Sequence, residues 1–163
     1  MKNSICEIKQ AMDDNWSGSS SDSSYALLKM TRLHELFKRN IEESVAQFEL
    51  QHADFSVLAT LRRSPKPYCL SPTDLYKSMF FSSGGLTKVL GRLVDANLIE
   101  RIENAEDKRS KLVKLNIKGK ALVETIMPIL KQQDVMLLKG VSQEELVLLD
   151  SLLNKVLAAQ GEY

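Results

Sequence analysis

The side chains of this chain best suited to chemistry are hydroxyls and cations gathered in two short stretches. One is Ser82-Ser83-Gly84-Gly85-Leu86-Thr87-Lys88 with Arg92 just beyond it, and the other is Asp107-Lys108-Arg109 with Lys111 after it. Neither is arranged to break a covalent bond. The sequence has no paired Ser/His/Asp spacing, no glycine-rich phosphate loop and no His/Cys/Asp/Glu grouping at metal-ligand intervals, so no catalysis, cofactor or metal is expected. Hydroxyls and cations at the start of a helix suit base edges and phosphates instead, because a helix fits the major groove of double-stranded DNA with its N-terminal residues toward the bases. On this reading Ser82, Ser83, Gly85, Thr87, Lys88 and Arg92 lie at that end of the helix or on its polar face, and the glycines keep the surface flat enough for backbone to approach. Ser71 and Thr73, at an earlier helix start, offer N–H and hydroxyl groups to a phosphate. Arg109 suits the minor groove, whose negative potential attracts a guanidinium, with Asp107 two residues earlier to hold it. Plainer readings remain open: turn glycines, a solvated basic face, and an exposed ion pair worth little.

Two helices joined by a tight turn, then a hairpin, have to position these groups. Ser71-Pro72-Thr73-Asp74 is a helix start, with Ser71 as cap and Pro72 where no N–H is needed, and that helix ends near Lys77. Leu86, Val89, Leu90, Leu93 and Val94 mark the apolar face of the next helix. The period then changes: Leu98–Ile102 reads as a strand, and Val113, Leu115 and Ile117 alternate with Lys114 and Asn116 as a second, across the polar loop 104–110. Upstream, Leu33, Leu36, Phe37, Ile41, Val45 and Phe48 give a long helix over about 25–49, with Ser23 or Ser24 as cap, and Phe55, Leu58, Ala59 and Leu61 give a shorter one ended by Ser64-Pro65-Lys66-Pro67. Residues 1–16 carry a weak helical pattern and 17–24 read as a flexible tract. Downstream, Asn116 caps a helix starting near Lys118 and kinked at Pro128; Gly140 breaks it, and Ser142-Gln143-Glu144-Glu145 opens the last helix, which carries Leu146, Leu149, Leu152, Leu153 and Val156.

The fold class is therefore mainly α with a small β-wing: a winged helix-turn-helix flanked by N- and C-terminal dimerisation helices. The segments are an N-terminal extension (1–24), a dimerisation helix (25–50), a winged-helix lobe (51–117) and C-terminal dimerisation helices (118–163). The outer helices are too leucine-rich for one winged helix to bury, so a homodimer is expected.

Taken over the whole chain, charge argues against a nucleic-acid partner, since 22 Lys+Arg against 21 Asp+Glu leave 163 residues at a net +1. Sorted by segment it argues the other way. Residues 55–120 hold 13 Lys+Arg and 6 Asp+Glu, a balance of +7, while the flanks hold 9 and 15, a balance of −6. One basic lobe and one acidic remainder is the asymmetry of a protein that faces phosphates on one side. No apolar run approaches the ~18–20 residues of a membrane span, the first residues lack the apolar stretch of a secretory signal, and Cys6 and Cys69 make no disulfide framework, so no membrane contact and a cytoplasmic setting are expected.

The stretches Phe55-Ser-Val-Leu-Ala-Thr-Leu-Arg-Arg63, Leu70-Ser-Pro-Thr-Asp-Leu75, Ser82-Ser-Gly-Gly-Leu-Thr-Lys88 and Asp107-Lys-Arg109 resemble the MarR family of bacterial transcriptional regulators, over about residues 25–160. Asp-x-Arg in the wing is the most specific of these marks. The resemblance implies a winged-helix homodimer on a pseudo-palindromic operator, often a repressor, and often released by a small aromatic or phenolic ligand between the dimer and DNA-binding lobes. The chain departs from the pattern at Asn116, where the family has a capping Thr, and at Gln51, which also replaces a capping Thr and is expected to fray the next helix. The wording is nearest the urate-responsive, PecS-like branch, which holds its ligand with a Trp, an Asp and two Arg. Trp16 and Arg101 match two of these; Ser56 stands at the Asp position and Val89 at the second Arg. Trp16, His34, Ser56 and Arg101 are the effector candidates, and the incomplete set leaves two outcomes open: an aromatic effector more apolar than urate, or no effector. Two other readings stand beside this one: a winged helix that docks an acidic protein partner, and a regulator that senses oxidants through Cys6 or Cys69.

Overall fold

The computed structural model describes residues 3–16, 18–19, 21–79, 85–105 and 110–162. The elements in chain order are α1 (Ile5–Asn15), α2 (Asp22–Ala46), α3 (His52–Arg63), β1 (Cys69–Leu70), α4 (Pro72–Lys77), α5 (Leu86–Asp95), β2 (Ile99–Glu103), β3 (Lys111–Leu115), α6 (Ile117–Leu137) and α7 (Gln143–Ala158). They fall into two compact units, one reaching to Leu130 and one from Lys131 onward. The helix order matches the expectation, and the wing is present.

Three local readings need correction. α2 is capped by Ser21 rather than Ser23 or Ser24: the Ser21 hydroxyl accepts the Ser24 N–H at 3.2 Å, because a cap oxygen reaches the third helical residue and Ser24 occupies that place. α3 does not lack a cap for want of Thr at 51, since the Asp54 carboxylate reaches back to accept the Gln51 N–H at 2.9 Å. The sheet has three strands, not two. β1 pairs antiparallel with β3 through Cys69 opposite Lys114 and Leu70 opposite Val113, giving the order β1-β3-β2. Two residues are too few to show a period of two.

The core of the first unit is built where these elements converge. Val45 from α2, Leu58 and Leu61 from α3, Leu75 from α4, Leu90 and Leu93 from α5, Ile99 and Val113 from the sheet, and Val123 and Ile126 from α6 are all essentially sealed from water. Each such side chain contributes on the order of 1.5–3 kcal/mol of burial, which is what presses the short α4 and α5 onto the sheet. α1 lies against α2 through polar groups: the Lys9 ammonium sits 4.6 Å over the Tyr25 ring, the Tyr25 hydroxyl donates to Asp13, and Arg32 donates to the Asn3 carbonyl at 2.9 Å. α6 runs through Pro128, and Gly140 (φ +95°) follows its end. In the second unit α7 opens on the expected capping box, Ser142 accepting the Glu145 N–H and the Glu145 carboxylate accepting the Ser142 N–H.

Candidate nucleic-acid interface

The helix pair of the interface is set by its caps and its anchors. Ser71 accepts the Asp74 N–H at 3.1 Å and donates its own hydroxyl to the Asp74 carboxylate at 2.6 Å, so α4 starts where the sequence places it. Buried Leu75 pins this six-residue helix, and the Ser78 N–H closes it onto the Asp74 carbonyl at 2.9 Å. The Arg63 guanidinium, at the end of α3, donates to the Ser78 carbonyl. α5 begins after Gly85, whose φ of +105° is a left-handed conformation that glycine adopts without strain. Its buried face is Val89, Leu90 and Leu93; Thr87, Lys88 and Gly91 lie on other sides, all three exposed. On α4, Thr73 is exposed, while its N-cap Ser71 is half-buried.

The far end of α5 is fastened most firmly. Asn97 takes the left-handed conformation (φ 56°), the Leu98 N–H bonds to the Leu93 carbonyl at 2.9 Å, and the Asn97 N–H bonds to the Val94 carbonyl at 2.8 Å, which together form a Schellman end with Asn in the place glycine usually holds. The start of α6 closes over this corner. Lys118 donates to the Ala96 carbonyl at 3.0 Å, Asn116 donates to the Asn97 carbonyl at 2.8 Å, and the Asn116 side-chain oxygen accepts the Gly119 N–H at 2.8 Å as the expected cap of α6. Gly119 lies so near that a Cβ placed on it would be 2.1 Å from the Leu98 carbonyl oxygen.

The wing ladder runs from Ile99 opposite Leu115 to Glu103 opposite Lys111. That register sets Lys111 across from Glu103 and Lys114 across from Glu100, opposite charges at facing positions. Asn104 donates to Ser110 at 3.1 Å at the base of the loop. Ser82, Ser83, Asp107, Lys108 and Arg109 lie outside the described residues. Among the described residues, Gly85, Thr87, Lys88 and Arg92 at or on α5, Thr73 on α4 and Lys111 on β3 are the exposed members of the expected set.

Arg92 has a different partner from the one its position on α5 suggested. Its guanidinium edge grips the Asp54 carboxylate of α3, Nη2 at 2.7 Å and Nε at 3.2 Å from Oδ1. Other cations of the basic segment are also engaged. Arg62 holds Glu124 at 2.8 Å and stacks 5.0 Å from the Tyr68 ring, Lys120 lies 3.7 Å from the same carboxylate, and Lys118 is spent on Ala96. The hydrogen bond from Arg62, followed by the nearby Lys120, holds the Glu124 carboxyl below its usual range. Asp54 and Glu124 both fall just outside the 55–120 window, so their inclusion lowers the balance from +7 to +5: 13 basic against 8 acidic over residues 54–124. The lobe remains basic.

An open pocket of about 500 Å³ lies between α2 and α3. Phe37, Ile41, Phe55 and Ala59 give it apolar walls, and His52, Ser56, Thr60 and Arg63 supply polar groups. Of the effector candidates only Ser56 lines it, with its hydroxyl donating to the His52 carbonyl at 2.9 Å. Trp16 is 71% exposed at the end of α1, His34 is exposed on α2 and Arg101 is exposed on β2. The other lining residues went unnoticed in the sequence although positions 52, 55, 56, 59, 60 and 63 share one helical face; that face reads equally well as core until a wall stands opposite it. Burial lowers the His52 pKa below its usual value, and the Glu42 carboxylate opposes this. Burial also raises the Cys69 thiol, with Lys114 acting the other way.

Comparison with known proteins gives a consistent result. The model of the MarR family matches residues 48–110. The multiple antibiotic resistance protein MarR of Escherichia coli is 34% identical over 120 residues, covering 73% of this chain and 81% of that protein. The HTH-type transcriptional regulator PecS of Dickeya dadantii is 29% identical over 127 residues, covering 78% and 76%. Among solved structures, a mutant of Escherichia coli MarR complexed with operator DNA superposes with a TM-score of 0.68 at 29% identity, over 96% of this chain and 99% of that one.

Proposed function

The chain belongs to the MarR family of transcriptional regulators, and from that premise we propose that it is a homodimeric repressor that reads a pseudo-palindromic operator with α5 and the wing. The observation that carries this reading is the pairing of a capped α4 with an α5 whose one face is sealed in the core and whose other sides offer Thr87, Lys88 and Gly91 to solvent. A helix so mounted enters a major groove, Lys88 and Lys111 meet phosphates, and Arg109 with Asp107 reaches into the neighbouring minor groove. The acidic, leucine-rich flanks hold the two copies together. α2 leaves Leu27, Met30, Leu33 and Phe37 exposed, and α7 leaves Leu148, Leu152, Val156 and Leu157 exposed, faces that a second copy would cover.

The pocket between α2 and α3 supports an effector of the one-ring aromatic or phenolic class. Its volume falls within the usual range for small-ligand sites, and its polar groups gather on α3. Val89, at one of the polar anchor positions of the urate-responsive branch, is buried in the core, which favours a ligand less polar than urate. The raised Cys69 pKa works against a thiolate sensor at that site.

The test is a duplex selected by the protein from a random library, titrated across a salt series. Affinity should fall steeply with salt, and footprints should lie about 10 base pairs apart centre to centre. Arg109→Ala should weaken operator binding by at least ten-fold; unchanged affinity at physiological salt would remove the wing from the interface. Binding to an acidic protein, with none to DNA, would favour the docking-module reading instead.

A further inference from the structure

We infer that the Asp54–Arg92 pair is a positioning device for α5, which sets the angle at which that helix is presented and contributes no phosphate contact of its own. The inference rests on the reading of α5 as the DNA-reading helix and deepens it. Asp54 is 3% exposed at the start of α3, and both of its carboxylate oxygens are engaged by the protein itself: Oδ1 takes Nη2 and Nε of Arg92 at 2.7 and 3.2 Å, and Oδ2 takes the Gln51 N–H at 2.9 Å. A buried carboxylate must be paired, so once α3 has folded, Asp54 demands a cation at one place. A planar guanidinium presents donors in a rigid fork with a fixed direction, as an ammonium cannot, and Arg92 does so from the last turns of α5. The pair therefore constrains the rotation of α5 about its own axis, which the apolar contacts of Val89, Leu90 and Leu93 fix less sharply because they lack direction. The rotation of α5 decides whether Thr87 and Lys88 point at base edges or past them.

The two roles open to Arg92 differ in what salt does. A phosphate contact releases counterions, and its loss lowers the slope of log affinity against log salt by about 0.9 per site. A positioning contact leaves that slope alone and erodes the preference for the operator over random DNA.

The experiment measures binding of the full-length wild type, Asp54→Asn, Arg92→Gln, Arg92→Lys and the Asp54→Asn/Arg92→Gln double variant. The probes are the library-selected duplex and a scrambled duplex of equal length, across a salt series, with thermal unfolding in parallel. Positioning predicts that each of Asp54→Asn and Arg92→Gln weakens operator binding by ten-fold or more, with scrambled-duplex binding and the salt slope unchanged. It also predicts that the double variant is no worse than the poorer single one and that Arg92→Lys, which keeps the charge and loses the fork, does not rescue. Arg92→Gln leaves the Gln51 cap intact, so it remains informative if Asp54→Asn fails to fold. A reduced salt slope in Arg92→Gln, or full rescue by Arg92→Lys, would show a phosphate contact and overturn the inference. Lowered melting temperatures with operator preference intact would overturn it too. A wild type with no preference for any duplex would refute the DNA-reading function itself, a result the variants cannot mimic.

Discussion

Replacing Gly119 by alanine should destabilise the protein although alanine is the better helix former. In a solvated helix the change is worth about 1 kcal/mol in favour of alanine. At residue 119 the new methyl would stand 2.1 Å from the Leu98 carbonyl oxygen and 2.9 Å from Cδ1 of Leu115. The oxygen is roughly 1.2 Å nearer than the ~3.3 Å at which carbon and carbonyl oxygen normally meet. The Leu115 methyl can rotate away, but the oxygen is backbone and accepts the Asn116 N–H at 3.3 Å. Relief therefore requires lifting the first turn of α6 off the start of β2, at a cost of about 1 kcal/mol for the hydrogen bond and about 1–3 kcal/mol for overpacking. After the propensity gain, a net loss of about 1–3 kcal/mol remains, or roughly 3–10 °C in melting temperature for a chain of this size. Urea unfolding of Gly119→Ala should show a lower midpoint at an unchanged slope. Gly91→Ala is the internal control: Gly91 is exposed in α5 with nothing within 4 Å of an added methyl, so the same substitution should stabilise by about 0.5–1 kcal/mol. If Gly119→Ala proved as stable as wild type, or if both variants moved in the same direction, the close approach of α6 to β2 would be wrong.

Three further outcomes are expected. Ser71→Ala should cost about 1 kcal/mol by uncapping α4, and hydrogen exchange should show the loss concentrated at the Asp74 amide. Because burial depresses the His52 pKa, the unfolded chain binds a proton that the folded chain resists. Stability should be flat above about pH 7, decline as pH falls from about 6.5 toward the lowered folded value, and level off below it; chemical denaturation of His52→Gln should show a weaker decline over that window. Leu152→Glu combined with Val156→Glu, both on the exposed face of α7, should convert a dimer to a monomer by light scattering at micromolar concentration, and an unchanged mass would exclude that face from the interface.

What could be read from the residues was whatever had a period or a cap. The helix pair, the alternating strand through Val113 and Leu115, the Ser71 and Ser142 starts and the Asn116 cap all rest on interactions within a few positions, and the structure has each of them. What could not be read depends on partners distant in the chain. β1 exists because β3 is beside it, and Arg92 is tied down because Asp54, 38 positions earlier, is buried and faces it. The same blindness inflated the basic balance, since a window of sequence counts Arg62 and leaves out Glu124. The lining of the pocket could not be read for a related reason: Phe37 and Phe55 are core residues by pattern and become walls only through the gap between their helices.

The fastening of α5 at its Ala96–Leu98 end makes the helix a lever rooted at one side. Ten residues at ~1.5 Å each give an arm of about 15 Å. A tilt of about 8° at the root displaces the tip by about 2 Å, enough to part a hydrogen bond from a base edge. Asp54 grips the arm close to its root, where a small push turns into a large sweep, and Asp54 itself stands in the first turn of α3, the helix that lines the pocket. The effector proposed for that pocket would therefore need no contact with α5 itself to act on it. A shift of the base of α3 by a fraction of an ångström would be magnified along α5, because the Asp54–Arg92 contact lies nearer the root of the arm than its tip.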